Sequence, residues 1–136
     1  MVDVSSSADG EISLEALLPF EHLINVCDFL LLFTGWGQFW GTDRYYKNYP
    51  ILSSDAAHWL SAHQLKGIGV DTISVDAFDS TLFPLHTLLL QLNILLVENL
   101  YLDMRLLHAP FTFCGFPLKL AGAEASPLRA VALFER

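Results

Sequence analysis

The segment FPLHTLLLQLNILLVENL, residues 83–100, is almost wholly aliphatic, yet it contains a histidine and a glutamate, His86 and Glu98, twelve positions apart. Ionisable side chains in apolar surroundings are costly unless another group pairs with them. An imidazole nitrogen and a carboxylate oxygen together suit a divalent metal ion such as zinc. Two ligands are not a complete catalytic site, because catalytic zinc takes about three protein ligands and a water. The alternative is local hydrogen bonding, with His86 bonded to a neighbour and Glu98 capping a loop.

The elements predicted around these two residues bring them together. Pro84 suits a first helical position and predicts a helix over residues 84–93, and ILLVE, residues 94–98, predicts a buried strand. A helix and the strand that it feeds run in opposite directions. The helix descends about 8 Å after His86 at ~1.5 Å per residue, and the strand climbs back about 13 Å at ~3.3 Å per residue. We therefore expect both side chains at the rim of the sheet, where α/β proteins place their sites.

Other segments predict the rest of an α/β fold. A continuous apolar run ending at Thr34-Gly35 indicates a strand buried on both faces. A helix capped by Ser53 or Ser54 and a second buried strand follow, which together indicate a parallel crossover. We expect a layered mixed sheet with flanking helices, built from these segments: VCDFLLLFTGW (26–36), SDAAHWLSAHQL (54–65), GIGVD (67–71), ILLVE (94–98), FTFCGFPLKL (111–120) and LRAVALFE (128–135).

Length and composition indicate one domain with much to bury. Of the 136 residues, 53% are hydrophobic and 16% are charged, so part of the apolar surplus is expected to lie against another subunit or against protein outside this chain. Residues 1–11 have the composition of a linker and are predicted to be a flexible segment, and residues 12–136 are predicted to be the folded domain.

Charge and polarity exclude several classes of partner. A net charge of −8 without a basic run argues against nucleic acid and anionic lipid. The longest apolar run contains polar residues that a lipid-facing helix would not tolerate, so no membrane span is predicted. Cys27 and Cys114 have no CxxC spacing and indicate reduced thiols in the cytoplasm.

Several further residues are candidates with two interpretations each. Asp71 and Asp76 in DTISVD either serve a site, as metal ligands or as acid and base, or make turns. Ser74 has no neighbouring base, so a serine nucleophile is disfavoured. An aromatic set either lines a pocket or closes a core edge or subunit contact; its members are Trp36, Phe39, Trp40, Tyr45, Tyr46 and Tyr49.

The remaining polar candidates are less expected to belong to a functional site. His58 and His63 are five apart on one predicted helix, about 140° around its axis, and are not expected to chelate one ion. His108 is expected to be solvated in a loop. Arg129 is expected to anchor a loop by hydrogen bonds.

The chain from about Ile12 to Ala132 resembles the cyclase family of metal-dependent hydrolases, which includes bacterial kynurenine formamidase and isatin hydrolase. The matching stretches are LLLFTGW, YPILSSDAAHWL, KGIGVDTISVD, FPLHTLLLQLNILLVENL and PLKLAGAEASPLRAVA, in the family's order and spacing. In that family the histidine of H-x-L-L and the glutamate of E-N-L bind metal, which implies His86 and Glu98 as ligands. The resemblance also implies a swivelling β/β/α-like fold, a dimer or tetramer, and hydrolysis of a small-molecule cyclic or N-acyl (formyl) amide. Zinc or manganese would activate water and polarise the amide carbonyl.

The family's main metal motif, H-x-G-T-H-x-D-x-P-x-H, is absent from this sequence, and His22 is the only histidine before residue 26. The resemblance therefore implies the carboxyl-terminal part of such an enzyme, incomplete at its N-terminus, inactive alone and holding its metal weakly. No catalytic residue is assigned. The alternative function is a non-catalytic interaction or oligomerisation subunit with the same fold.

Overall fold

The computed structural model describes residues 1–7 and 10–134. The chain divides into two compact units, Met1–Leu102 and Asp103–Arg136. The elements of the first unit, in chain order, are β1 (Val2–Asp3), β2 (Glu11–Ile12), α1 (Leu14–Leu17), α2 (Glu21–Ile24), β3 (Phe29–Phe33), β4 (Ile51–Leu52), α3 (Ser54–Ser61), β5 (Gly67–Val70), α4 (Pro84–Gln91) and β6 (Leu95–Val97). Short 3-10 helices lie at Ser5–Ser7, Leu18–Phe20, Trp36–Phe39 and Asp43–Tyr46.

A four-stranded parallel sheet forms the centre of this unit, in the order β1-β3-β5-β6. The register sets Leu30 beside Ile68 and Gly69 beside Val97. All four residues of β5 are buried, as expected of a parallel strand covered on both faces. A second, two-stranded parallel sheet pairs β2 with β4. The predicted strands at residues 26–36, 67–71 and 94–98 are confirmed in their central residues.

The two longer helices connect these strands and cover the sheet. Ser53 caps α3, because its hydroxyl oxygen accepts a hydrogen bond from the Ala56 amide at 3.1 Å. Helices α3 and α4 contact each other, and Leu60 and Leu89 are fully buried in one hydrophobic core with the strands. The predicted crossover, from β3 through α3 to β5, is therefore confirmed. No helix among the described residues has the length and apolar character needed to cross a bilayer.

The amino-terminal segment differs from the expectation of a linker with nothing to bury. Val2 and Val4 are each 1% exposed and belong to the core. Val2–Asp3 pairs in parallel with β3 at the edge of the sheet. A strand of two residues is too short to produce a periodic pattern, so the sequence analysis missed it. Residues 8 and 9 of the predicted segment lie outside the described residues.

The second unit contains an antiparallel pair of strands, β7 (Phe111–Pro117) and β8 (Leu128–Phe134). Phe111 pairs with Phe134 at one end and Pro117 pairs with Leu128 at the other. A 3-10 helix at Met104–Leu107 precedes them, and the Asp103 side chain accepts a hydrogen bond from the Arg105 amide at its start. The predicted α/β class is confirmed, with parallel and antiparallel pairing in separate sheets.

Two glycines allow close packing in β5. A Cβ atom at Gly67 would lie 2.3 Å from the Phe29 ring and 2.9 Å from the Leu95 carbonyl oxygen, and one at Gly69 would lie 2.5 Å from the Leu31 side chain. A backbone carbonyl cannot move aside as a flexible side chain can. Position 67 therefore has no room for a larger residue while β5 stays between its two neighbours.

We predict that Gly67→Ala lowers the free energy of unfolding by about 1–3 kcal/mol, because the added methyl group overpacks the sheet. Urea unfolding followed by circular dichroism measures the change. The matched control is Gly10→Ala, since a Cβ there meets nothing within 4 Å, and its effect is expected to stay within about 0.5 kcal/mol. Equal effects of the two substitutions would show that the sheet tolerates a side chain at position 67.

Candidate functional site

Polar residues follow three neighbouring strands of the parallel sheet at the same edge. Thr34 comes directly after β3, Asp71 after β5 and Glu98 after β6. The carboxyl ends of parallel strands meet at one edge, which is where α/β proteins bind ligands. The loop from residue 72 to residue 83 leaves this edge and leads to α4, and it contains Asp76.

The carboxylate of Asp76 contacts His86 and the start of α4. Its Oδ1 accepts a hydrogen bond from the Leu85 amide at 3.0 Å, and its Oδ2 accepts one from the His86 amide at 3.0 Å. The same Oδ2 lies 2.7 Å from the imidazole Nδ1 of His86. Asp76 is only 2% exposed, whereas the His86 side chain is 26% exposed. One buried carboxylate thus binds both the backbone and the ring of His86.

The other imidazole nitrogen of His86 faces Glu98. Nε2 lies 3.3 Å from Glu98 Oε1, but the contact does not have the geometry of a hydrogen bond, and Oε1 is buried without any hydrogen-bond partner among the described residues. Buried polar atoms are normally satisfied, so an unpartnered carboxylate oxygen needs an explanation. The side chains of His86 and Glu98 were expected to lie close together, and the 3.3 Å distance between Nε2 and Oε1 shows that they do.

The surroundings of Glu98 disfavour its charged form. Burial raises the pKa of the Glu98 carboxyl above its ordinary value, and the negative charge of Asp76 acts in the same direction. The positive charge of a protonated His86 and hydrogen bonds from the Val75 amide and the Ser74 hydroxyl oppose this rise without cancelling it. A neighbouring cation would therefore stabilise the ionised carboxylate.

Asp71 holds a turn. Its oxygens accept hydrogen bonds from the Thr34 amide at 3.1 Å, from the Thr34 hydroxyl, and from the Gly35 amide at 2.9 Å. Gly35 has φ +75°, the left-handed conformation that glycine favours. Both carboxylate oxygens of Asp71 are therefore engaged at the end of β3, and the residue is 2% exposed. These contacts correspond to the turn-making interpretation of this residue.

A tyrosine connects the aromatic segment to the strand ends. The Tyr45 hydroxyl lies 3.0 Å from Asn99 Oδ1 and 3.3 Å from the Asp71 carbonyl oxygen. Burial, followed by the negative charges of Asp71 and Glu98, raises the pKa of Tyr45 to about 12. The hydroxyl therefore stays protonated at neutral pH and can donate a hydrogen bond to Asn99, the residue next to Glu98.

The other aromatic candidates divide between core and surface. Trp36, Tyr45 and Tyr49 form a buried cluster, in which the Trp36 indole donates to the Tyr45 carbonyl oxygen at 3.0 Å. Trp40 and Tyr46 are at least half exposed. In this structure Trp36 and Tyr45 thus close a core, while Trp40 is accessible to solvent. Their role as a pocket stays a prediction.

The remaining candidates lie away from the His86–Glu98 contact. The Nδ1 atoms of His58 and His63 lie 2.8 and 2.9 Å from the carbonyl oxygens of Ser54 and Trp59 in the preceding helical turn. His108 is exposed at the end of a 3-10 helix. Arg129 lies in β8, within the predicted strand at residues 128–135, and pairs with Phe116; its expected role in anchoring a loop stays a prediction. Across residues 1–7 and 10–134, no group of three or more His, Cys, Asp or Glu side chains is placed to hold a metal ion.

A comparison with protein families identifies the chain. The Cyclase family model, described as "Putative cyclase", matches residues 1–77, which is more than half of the chain. This chain belongs to the cyclase family. The matched residues include β1, β3 and β5 and end one position after Asp76.

Known proteins extend the similarity along the chain. It is 32% identical over 132 residues to kynurenine formamidase of Bacillus cereus, which covers 96% of this cyclase-family chain and 59% of that relative. Two solved structures share the fold. Each is 22% identical in sequence to this chain, and each similarity covers 99% of this chain. An isatin hydrolase bound to the product analogue thioisatinate has a TM-score of 0.83, and a potential metal-dependent hydrolase with cyclase activity has a TM-score of 0.73. The chain spans 58% and 63% of their lengths, respectively.

Three contacts near this site were not predicted from the sequence. They are the capping of α4 by Asp76, the hydroxyl contact of Tyr45 with Asn99, and the 2.9 Å hydrogen bond from the Tyr49 hydroxyl to the Asp76 carbonyl oxygen. Phe83, the residue before the helix, is not a capping residue, and this absence was the available signal that another residue caps α4.

We predict that Asp71→Asn lowers the free energy of unfolding by about 1–3 kcal/mol, because the amide nitrogen that replaces one carboxylate oxygen would face a backbone donor of Thr34 or Gly35. Urea unfolding provides the measurement. Asp28→Asn is the matched control: Asp28 pairs with Lys66 at 2.8 Å on the surface, and its loss is expected to cost less than about 1 kcal/mol. If Asp71→Asn is as mild as the control, the turn does not depend on this carboxylate.

Proposed function

We propose that this chain carries part of the active site of a metal-dependent hydrolase acting on a cyclic or N-acyl (formyl) amide, with His86 and Glu98 as metal ligands. The observation that carries the proposal is the buried Glu98 Oε1, which has no hydrogen-bond partner in the part of the chain that the structure describes and lies 3.3 Å from His86 Nε2. Similarity to a kynurenine formamidase, an isatin hydrolase and a potential metal-dependent hydrolase supports the reaction class.

The distance between the two proposed ligand atoms suits a shared cation. Two atoms that each lie about 2.0–2.1 Å from a tetrahedral ion are about 3.3 Å apart, which matches the observed separation. A cation there would also satisfy the unpartnered oxygen and favour the charged form of Glu98. Nitrogen and oxygen ligands accept zinc or manganese, and we propose one of these two.

The residues of the chain have separate tasks in this proposal. A divalent cation, when bound, supplies polarisation of the amide carbonyl and activation of a water nucleophile. Glu98 provides negative charge at a partly buried position, and Asp76 holds His86 in place. Trp40, whose side chain is exposed to solvent, is proposed to contact the substrate, while the buried Trp36 and Tyr45 support the segment that carries it.

Two donors do not complete a catalytic metal site. We therefore propose that the other ligands come from outside this sequence, either from preceding sequence or from another chain. The chain spans less than two thirds of the length of the relatives that it matches, which is consistent with such an arrangement. Alone, it is expected to bind metal weakly and to hydrolyse nothing. Two free cysteines, Cys27 and Cys114, support the proposed cytoplasmic location.

A second candidate function is that of a non-catalytic interaction subunit. Its supporting observation is a set of large apolar side chains that are at least four-fifths exposed, namely Val26, Leu82 and Tyr101. Contiguous exposed apolar surface marks interaction sites, so this candidate requires the three side chains to share one surface. Both candidates share a proposed homodimer or homotetramer, and light scattering after size exclusion measures that state. Tight assembly of a chain that binds no metal would favour the second candidate.

We predict that the chain alone binds zinc weakly at one site and that His86→Ala or Glu98→Gln abolishes this binding, because each substitution removes one of two ligands. Isothermal titration with zinc chloride measures the affinity. His58→Ala is the control, since His58 lies on α3 and contacts its own helix. Binding that survives both ligand substitutions but not the control would refute the assignment of the ligands.

The reaction class is tested by completing the site. The part of the Bacillus cereus kynurenine formamidase that lies outside its region of similarity can be fused to this chain, and the fusion assayed with N-formylkynurenine and zinc or manganese. We predict that hydrolysis appears in the fusion, is absent from the unfused chain, and is lost with Glu98→Gln. A folded fusion that binds metal without hydrolysing the formamide would contradict the proposed reaction.

A further inference from the structure

Helix α4 begins without a cap of its own. Phe83 occupies the N-cap position with φ 45° and ψ 57°, and its side chain makes no capping hydrogen bond. The left-handed conformation is unfavourable for a bulky residue, and a following proline restricts the backbone further. Such strain persists only where surrounding contacts impose it.

Asp76 supplies the missing cap from the preceding loop. Its two oxygens accept the Leu85 and His86 amides, each at 3.0 Å, which are donors that an N-cap side chain ordinarily satisfies. The Asp76 amide in turn donates to the Ser74 hydroxyl at 3.1 Å, and its carbonyl oxygen accepts from the Tyr49 hydroxyl at 2.9 Å. Hydrogen bonds at both its amide and its carbonyl group therefore hold the backbone of Asp76 in place.

The same carboxylate determines which imidazole nitrogen of His86 carries a proton. A carboxylate is an acceptor only, so the 2.7 Å contact between Asp76 Oδ2 and His86 Nδ1 requires a hydrogen on Nδ1. In the neutral ring, Nε2 then has a free lone pair. That lone pair is on the side of Glu98 Oε1, and both atoms are acceptors, which accounts for the missing hydrogen bond between them.

The position of the ring is restricted as well. The Phe83 ring meets the imidazole edge to face, with centroids 5.7 Å apart and an interplanar angle of 79°. The strained backbone of Phe83 thus places an aromatic ring against His86. Asp76 contacts one nitrogen of the imidazole, the Phe83 ring packs against the imidazole edge to face, and Glu98 lies beyond the other nitrogen.

We propose that Asp76 is a positioning residue, which fixes His86 in the tautomer with Nδ1 protonated while it caps α4. The inference rests on the proposed function in one respect. The selected tautomer serves metal binding, because only that tautomer presents Nε2 as a metal ligand. Its physical content does not depend on metal, since the hydrogen bonds exist in the protein alone. Capping and tautomer selection by one side chain couple the start of the helix to the ligand geometry.

The tautomer is measured directly in the metal-free protein. Nitrogen-15 spectra of histidine-labelled protein, recorded at alkaline pH so that imidazoles are neutral, distinguish a protonated from an unprotonated ring nitrogen at each position. His86→Asn identifies the signals of His86 by their disappearance. We expect Nδ1 protonated and Nε2 unprotonated. The opposite tautomer in the unmutated protein overturns the proposal, without reference to any variant that might not fold.

Substitution of the cap separates positioning from stability. In Asp76→Ala, the fraction of His86 with Nδ1 protonated is expected to fall, because Nδ1 loses the carboxylate that accepts its hydrogen. Ser53→Ala is the matched control: it removes the cap of α3 and leaves the tautomer unchanged. If Asp76→Ala retains protonated Nδ1, or if the control changes it too, Asp76 does not select the tautomer.

Zinc titration of the same proteins tests the link to the proposed function. Asp76→Ala is expected to bind zinc about 10–100-fold more weakly than the unmutated chain, while Ser53→Ala binds as before. If the predicted tautomer is observed but the unmutated chain binds no zinc at His86 and Glu98, the proposed ligands are wrong and the positioning role of Asp76 stands. If Asp76→Ala binds zinc with unchanged affinity, Asp76 does not contribute to zinc binding by His86.

Discussion

A single buried carboxylate connects the fold of this cyclase-family chain to its candidate site. Asp76 is 2% exposed and bonds to two amides at the start of α4 and to the imidazole of His86. Without these contacts, the first turn of the helix would have unsatisfied donors and the imidazole would be free to rotate. The 3.3 Å approach of His86 to Glu98 depends on both. The geometry of the His86–Glu98 pair therefore depends on the Asp76 side chain.

The convergence of His86 and Glu98 could be predicted because it depends on local geometry. A helix that returns directly into a strand places the helix start beside the strand end, and both elements have clear signals in the apolar pattern. The same reasoning located β3, α3 and β5, with Ser53 as a cap. These predictions needed only local sequence patterns and the rule that parallel strands require a crossover connection.

Contacts between distant segments were harder to predict. Asp76 reaches across ten positions to cap a helix whose own N-cap residue is Phe83, and nothing in the order of residues specifies that reach. Val2 and Val4 are buried by an edge strand too short to produce a pattern. In the aromatic segment, residue type alone could not separate buried Tyr45 from exposed Tyr46. Tertiary packing determines these cases, and propensity does not.

We propose that His86 and Glu98 bind one cation between Nε2 and Oε1. The most direct test is a crystal of this chain soaked with zinc, with anomalous difference density collected at the zinc absorption edge. We expect the strongest anomalous peak to lie about 2.0–2.2 Å from both His86 Nε2 and Glu98 Oε1. A well-ordered site without density between them, or with density only at His58 or His63, would contradict it.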